Sequence, residues 1–254
     1  VTPPPVTALP PHTVRRSPRA RHARLTITRD GELVVVLPRR APDRAAALLV
    51  AEHLDWVHAQ LGRMAATRAR LDGRPALTDG RTLTVNGIPC SIRLAAPGTR
   101  PPAGVRAGTA HVERRLASDE EGLVGELLIF PGRGGRPPAA ILEAWLRSEA
   151  GAVLAAQVAA HAPAMGVTPG RITVRAQATR WGSASRDGSL SFNWRLLLAP
   201  PFALDAVVVH ELAHLRIRGH GPRFWALVRQ HAPRTDEARA WLRAHHAELM
   251  AALD

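Results

Sequence analysis

FALDAVVVHELAHLRIRGHGPRFW, residues 202–225, is the stretch on which the reading of this chain turns. His210 and His214 are four apart, so on a helix both imidazoles lie on one face, about one turn apart, and can grip one cation. A catalytic zinc site takes three protein ligands, nitrogen or sulfur by preference, and keeps a further position for water. His220 is the candidate third ligand. Gly219 offers a left-handed residue at which the helix can end, and Pro222 can open the next helix directly afterwards. With 12 His and 11 Glu in 254 residues, an HExxH pattern arises by chance only about 0.02 times in such a chain. The run Val207–Val209 precedes His210, and a carboxylate next to so apolar a segment is costly to bury unless its surroundings compensate, which points to a function for Glu211. His161, His231, His245 and His246 read instead as surface, capping or helix-terminal residues.

Working outward, RITVRAQATRWGSASRDGSLSFNWRLLLAPP, residues 171–201, reads as a strand, an irregular crossing, an Asp187-Gly188 turn and a second strand. Pro200 and Pro201 then open the HExxH helix at a position that tolerates proline. The strand within SLSFNWRL offers an edge for an extended peptide, with Trp181, Asn193 and Trp194 as candidates to line the cleft. Residues 139–161 carry an apolar stripe at helical spacing, and helices are expected over 223–231 and 235–249. Upstream, PGRGGRPP at 131–138 has the glycine and proline density of a linker. Before it lie a hairpin turning at Asp30-Gly31, one amphipathic helix from Pro42 to about Arg70 with Asp43 as a cap or first-turn acid, and a second hairpin turning at Asn86-Gly87. Two β runs follow, 105–116 and 123–130. The expected organisation is a disordered Pro-rich lead (1–13), an α+β N-terminal domain (14–130), a linker (131–138) and a metal-dependent hydrolase domain (139–254).

Composition narrows the function classes. At 46% hydrophobic and 22% charged residues, the chain reads as globular. Its single cysteine, Cys90, cannot form an internal disulfide, so the cytoplasm is the expected compartment. No apolar run reaches the roughly 18 residues of a spanning helix, so no membrane role is expected. The net charge of +13 comes from 34 basic residues, all arginine. Few aromatics interleave with them, which favours a generally basic surface over a dedicated nucleic-acid site. The cluster Arg15, Arg16, Arg19, Arg21 and Arg24 reads as a solvated edge.

Three segments together resemble a known family. RRSPRARHARLTITRDGELVVVLP with the following helix and its Asp55-Trp56, RWGSASRDGSLSFNWRLLLAPPFALDAVVVHELAHL, and HGPRFW look like the YgjP-like metallopeptidases, relatives of the SprT-like and WLM zincins. The resemblance implies an α+β chain whose β-hairpin-rich first part precedes a zincin-like domain. It also implies Zn²⁺ held at His210, His214 and His220, with Glu211 catalytic. Family members usually have Cys where Ala184 stands, so a thiol there is not essential to this chain. Ile217 replaces the glycine of the similarly spaced metzincins, and the absence of tyrosine leaves Arg, His or a backbone N–H as oxyanion donor. The implied reaction is hydrolysis of a peptide or protein substrate by a metal-activated water, with Glu211 as general base. Alternatives are hydrolysis of a nucleoside triphosphate phosphoanhydride, which the arginines would suit, and a nucleic-acid-associated protease or binding module.

Overall fold

The computed structural model describes residues 9–28, 31–72, 77–96, 98–120 and 122–253. The chain divides into two compact units, Val1–Arg74 and Pro75–Asp254. In the first, strands β1 (His12–Ser17), β2 (Arg24–Ile27) and β3 (Leu33–Pro38) form a sheet in the order β1-β3-β2. β2 and β3 make the expected antiparallel hairpin. Gly31 adopts a left-handed φ of +86°, while Asp30 lies outside the described residues. Leu33, Val35 and Leu37 alternate into the core, where Ala46, Val50 and Val57 of the following helices meet them.

Three details of this unit depart from the sequence reading. Residues 1–8 of the expected disordered lead lie outside the described residues, but His12 and Thr13 belong to β1, whose backbone pairs parallel with β3. HTVRRS has no apolar alternation, so backbone pairing alone defines this edge strand. Asp43 makes no side-chain cap. Its carboxylate instead accepts a bond from Arg16 at 2.5 Å, while Arg16 also donates to the carbonyls of Arg39 and Ala41. The single helix expected from Pro42 is two, α1 (Arg44–Glu52) and α2 (Leu54–Asp72), because His53 leaves helical geometry at ψ 23°.

The second unit opens with β4 (Thr82–Val85) and β5 (Ile88–Leu94), turning at Asn86 and Gly87, both at positive φ as an Asn-Gly hairpin requires. With β6 (His111–Asp119) and β7 (Gly122–Phe130) they form a sheet in the order β4-β5-β7-β6, in which β5 and β7 run parallel. Helix α3 (Pro138–Ala164) follows, then β8 (Ile172–Arg175), β9 (Gly182–Ala184) and β10 (Leu190–Asn193), a 3-10 turn at Trp194–Leu198, and helices α4 (Pro201–Ala213), α5 (Pro222–His231), α6 (Thr235–Ala244) and α7 (His246–Met250). The helix expected over 235–249 is thus interrupted at His245, whose Nδ1 bonds the Trp241 carbonyl. Among the described residues no helix is long and apolar enough to cross a membrane.

The two compact units divide at 74/75, and residues 131–138 lie inside the second. One core contains Ile92, Leu127 and Ile129 of the four-stranded sheet together with Leu142 and Leu146 of α3 and Trp194 and Val208 further on. PGRGGRPP serves close approach rather than separation. Arg133 N–H donates to the Gly108 carbonyl at 2.9 Å. A Cβ on Gly132 would lie 2.5 Å from the Ala110 nitrogen. The sheet also braces the helix that carries the HExxH residues. Asn86 N–H donates to the Leu197 carbonyl at 2.7 Å, and a Cβ on Gly87 would meet Pro201 at 2.9 Å.

Because the shared core spans residues 83 to 252, a fragment of residues 75–254 should unfold in one cooperative thermal transition by circular dichroism. A fragment of 139–254, with the apolar faces of α3 and the 3-10 turn stripped of their sheet, should give no cooperative transition. A cooperative transition from the shorter fragment would restore the boundary at 131–138.

Candidate functional site

Helix α4 is buried nearly all round: Ala203, Leu204, Ala206, Val208, Val209, Glu211, Leu212 and Ala213 are all inaccessible or nearly so. A helix this apolar on every face is a core helix. It packs against α3, α5, α6 and β9. Its N-terminal half is tied to α3 by His161 and Asp205, whose Nε2 and Oδ1 are 2.5 Å apart. His161, read from sequence as a helix-terminal residue, therefore links two helices.

The helix ends at Ala213 with His214 as its cap, earlier than the sequence suggests. Gly219 has no positive φ, and a Cβ there would meet nothing. The chain turns instead through Leu215 and Arg216, whose N–H groups donate to the Leu212 and Ala213 carbonyls. His214 Nδ1 lies 3.1 Å from the Ile217 carbonyl, so Ile217, at the place where metzincins carry glycine, contributes a backbone acceptor. That bond fixes the ring and leaves Nε2 free as an acceptor, as outer partners of metal-binding histidines commonly do.

The turn brings the three expected histidines together. His210 Nε2 is 3.2 Å from His214 Nε2 and 3.3 Å from His220 Nε2. The ligand atoms of all three lie within 4.8 Å of one another. Zn–N distances of about 2.0–2.1 Å in a tetrahedron put neighbouring ligand nitrogens about 3.3 Å apart, so these two separations fit one such ion. Phe224, fully buried, supports the cluster from behind, its ring 4.6–4.9 Å from each of the three imidazoles. Nothing in local spacing marks Phe224 beyond its position in the turn after Pro222, and sequence reading assigned it no role.

Glu211 is 6% exposed. Burial pushes its carboxyl up from 4.5 to about 7, opposed by a hydrogen bond from the Ala184 N–H. The same burial, with His214, His220 and Arg239 nearby, pushes His210 down to about 4. His214 is also lowered by burial, against the pull of the Ile217 carbonyl. The pocket thus disfavours charge on either kind of group, which favours neutral imidazoles at His210 and His214, ready to bind a cation, while the carboxylate retains affinity for a proton near neutrality. Gly182 makes room for this arrangement: a Cβ there would lie 2.6 Å from Glu211 Oε1 and 2.7 Å from its Cγ.

The remaining sequence candidates separate. β10 is the central strand of a β8-β10-β9 sheet, so it offers no free edge. The edge beside the histidines belongs to β9. Trp181 and Ser185 pair with Asn193 and Ser189 across β9 and β10, so by alternation Gly182 and Ala184 turn their backbone groups outward. Trp194 is fully buried in the core. Asn193 is also buried, and its Nδ2 donates to the Gln177 and Arg180 carbonyls at 2.6 and 3.3 Å, fixing the loop that leads into β9. Trp181 does line a cleft, one of 590 Å³ that also reaches His210 and Glu211. A larger cleft of 830 Å³ lies over all three histidines and Glu211.

The family model described as "YgjP-like, metallopeptidase domain" matches residues 21–245. The chain belongs to the YgjP-like metallopeptidase family. No curated protein and no solved structure matches it. Membership makes the chain a metallopeptidase-type hydrolase with a metal ion, and the histidine triad is where its residues could bind one. Ala184 contributes its backbone N–H to Glu211, a contact that needs no side chain of its own.

Replacing His210, His214 or His220 singly with alanine should lower metal affinity by at least about 100-fold, since even outer-shell losses at such sites cost 10–100-fold. Elemental analysis after dialysis against a weak chelator reads this directly. Full occupancy in His220→Ala alone would remove that residue from the ligand set.

Proposed function

We propose that the protein is a zinc-dependent metallopeptidase that hydrolyses a peptide bond with Glu211 as general base. The observation that carries this reading is the convergence of three imidazole nitrogens beside a buried carboxylate at a free strand edge. Zn²⁺ held by His210, His214 and His220 would supply Lewis acidity, lowering the pKa of water and polarising the scissile carbonyl. Glu211 accepts the proton of the attacking water as its oxygen bonds to the carbonyl carbon. The same carboxyl returns that proton to the amide nitrogen as the C–N bond breaks, so one group serves both steps. Ala184 N–H holds the carboxylate in place, and Gly182 leaves it the space to sit there. The outward backbone groups of Gly182 and the Ala184 carbonyl can align an extended peptide by strand addition. The buried, unpaired Cys90 suits a reducing compartment, and we place the protein in the cytoplasm.

A second reading, hydrolysis of a nucleoside triphosphate, draws on Arg180, Arg186, Arg216 and Arg218, which line the larger cleft and suit phosphates. Unfolded casein and nucleoside triphosphates assayed side by side distinguish the two.

Glu211→Gln keeps the shape but cannot take a proton, so it should retain metal and fold while losing about 10²–10⁴ in rate. Undiminished turnover of a substrate that the wild type cleaves would refute the general-base role. Gly182→Ala provides an independent check. Overpacking against Glu211 should cost about 1–3 kcal/mol of stability and lower the rate while the metal stays bound. An unchanged melting temperature and rate would mean that the glycine is not needed to seat the carboxylate.

A further inference from the structure

The two clefts share Arg180, Gly182, His210 and Glu211, so together they form one groove that passes over the reacting centre. Its halves differ in chemistry. The larger carries Arg186, Arg216 and Arg218. Arg216 is held in place by the Met165 carbonyl at 3.1 Å. Among the described residues neither Arg186 nor Arg218 has an ion-pair partner. The acid on that half other than Glu211 is Asp187, and it is already engaged. Its oxygens accept bonds from the Ser185 hydroxyl and from the backbone N–H and hydroxyl of Ser189.

The smaller half is the more apolar, with Trp181, Ala206, Val207, Ala238 and Leu242 along its wall and Arg239 and Arg243 beside them. Its Arg239 pairs with Asp236 at 3.6 Å and lies over the Trp225 ring. Each half has a volume in the range of about 300–1,000 Å³ typical of ligand sites. A peptide lying along β9 would therefore meet the guanidinium groups of Arg186, Arg216 and Arg218 on one side of the scissile bond and, on the other, a mostly apolar wall with Arg243 beside it.

Resting on the peptidase reading, we infer that the groove selects peptides that are acidic on one side of the cleaved bond and apolar on the other. Side-chain carboxylates pair with Arg186, Arg216 and Arg218. An apolar side chain on the opposite side packs against Trp181, Val207 and Leu242. Several guanidinium groups acting on neighbouring carboxylates make the charged half a matter of net field as much as of single pairs, so basic peptides are actively repelled.

The test uses the zinc-loaded full-length Glu211→Gln protein, fluorescent decapeptides and anisotropy at about 0.1 M salt. One peptide has Glu at one end and Leu at the other, in both chain directions, and its counterpart has Lys in place of Glu. At least about tenfold tighter binding of the Glu–Leu peptide in one direction is expected. Arg186→Glu with Arg218→Glu should reverse the preference. The same change at Arg100 and Arg106, which line neither half, should leave it in place, which separates the groove from the protein's general positive charge. Equal affinities, no binding of any peptide, or an unreversed preference in the double variant would overturn the inference. So would displacement of every peptide, irrespective of its charge, by a nucleoside triphosphate. Cleavage is read separately on the wild type: bound but uncut peptides would count against the peptidase reading and leave the binding preference standing.

Discussion

Keeping the carboxylate of Glu211 inside the protein is the constraint on which the rest of the site depends. An unpaired buried carboxylate costs several kcal/mol in lost hydration. Here the cost is met in part by the Ala184 N–H and in part by a raised affinity for a proton. Both answers need β9 to lie against α4, and β9 can lie there only because Gly182 has no side chain. A core helix, an edge strand and one glycine are therefore a single device. The histidines share its logic, since the burial that raises Glu211 lowers His210 and leaves a lone pair free for a cation.

The machinery that fixes this device reaches well beyond the HExxH segment. Asn193, buried at the end of β10, holds the loop entering β9 through two carbonyls. Phe224 sets the backs of all three imidazoles. The Asn86-Gly87 hairpin closes on the start of α4 through Leu197 and Pro201. The four-stranded sheet is thus structural support for the metal-binding helix, which is why it shares a core with it.

Local chemistry was legible in the sequence, and long-range neighbours were not. The histidine and glutamate spacing, the Asn-Gly turn and the apolar stripe of α3 each carry their meaning within a few residues, and each reappears in the structure. PGRGGRPP was misleading because glycine and proline serve linkers and close backbone approaches alike, and only the presence of Gly108 and Ala110 beside Gly132 tells them apart. β1 has no apolar alternation and exists through its pairing with β3. The strand order that places β10 in the centre and β9 at the edge is likewise set by partners distant in sequence. The end of α4 at Ala213 rather than Gly219 follows from the turn bonds at Leu215 and Arg216, which no residue type announces.

The central claim is that three histidines hold the ion while Glu211 stays off it as the base. X-ray absorption at the metal edge of the zinc-loaded protein tests this most directly, read together with the Glu211→Gln variant. The account predicts three imidazole nitrogens at about 2.0–2.1 Å plus a light non-protein ligand, with the imidazole shell the same in both proteins. A carboxylate ligand present in the wild type and lost in the variant, or fewer than three imidazoles, would contradict it.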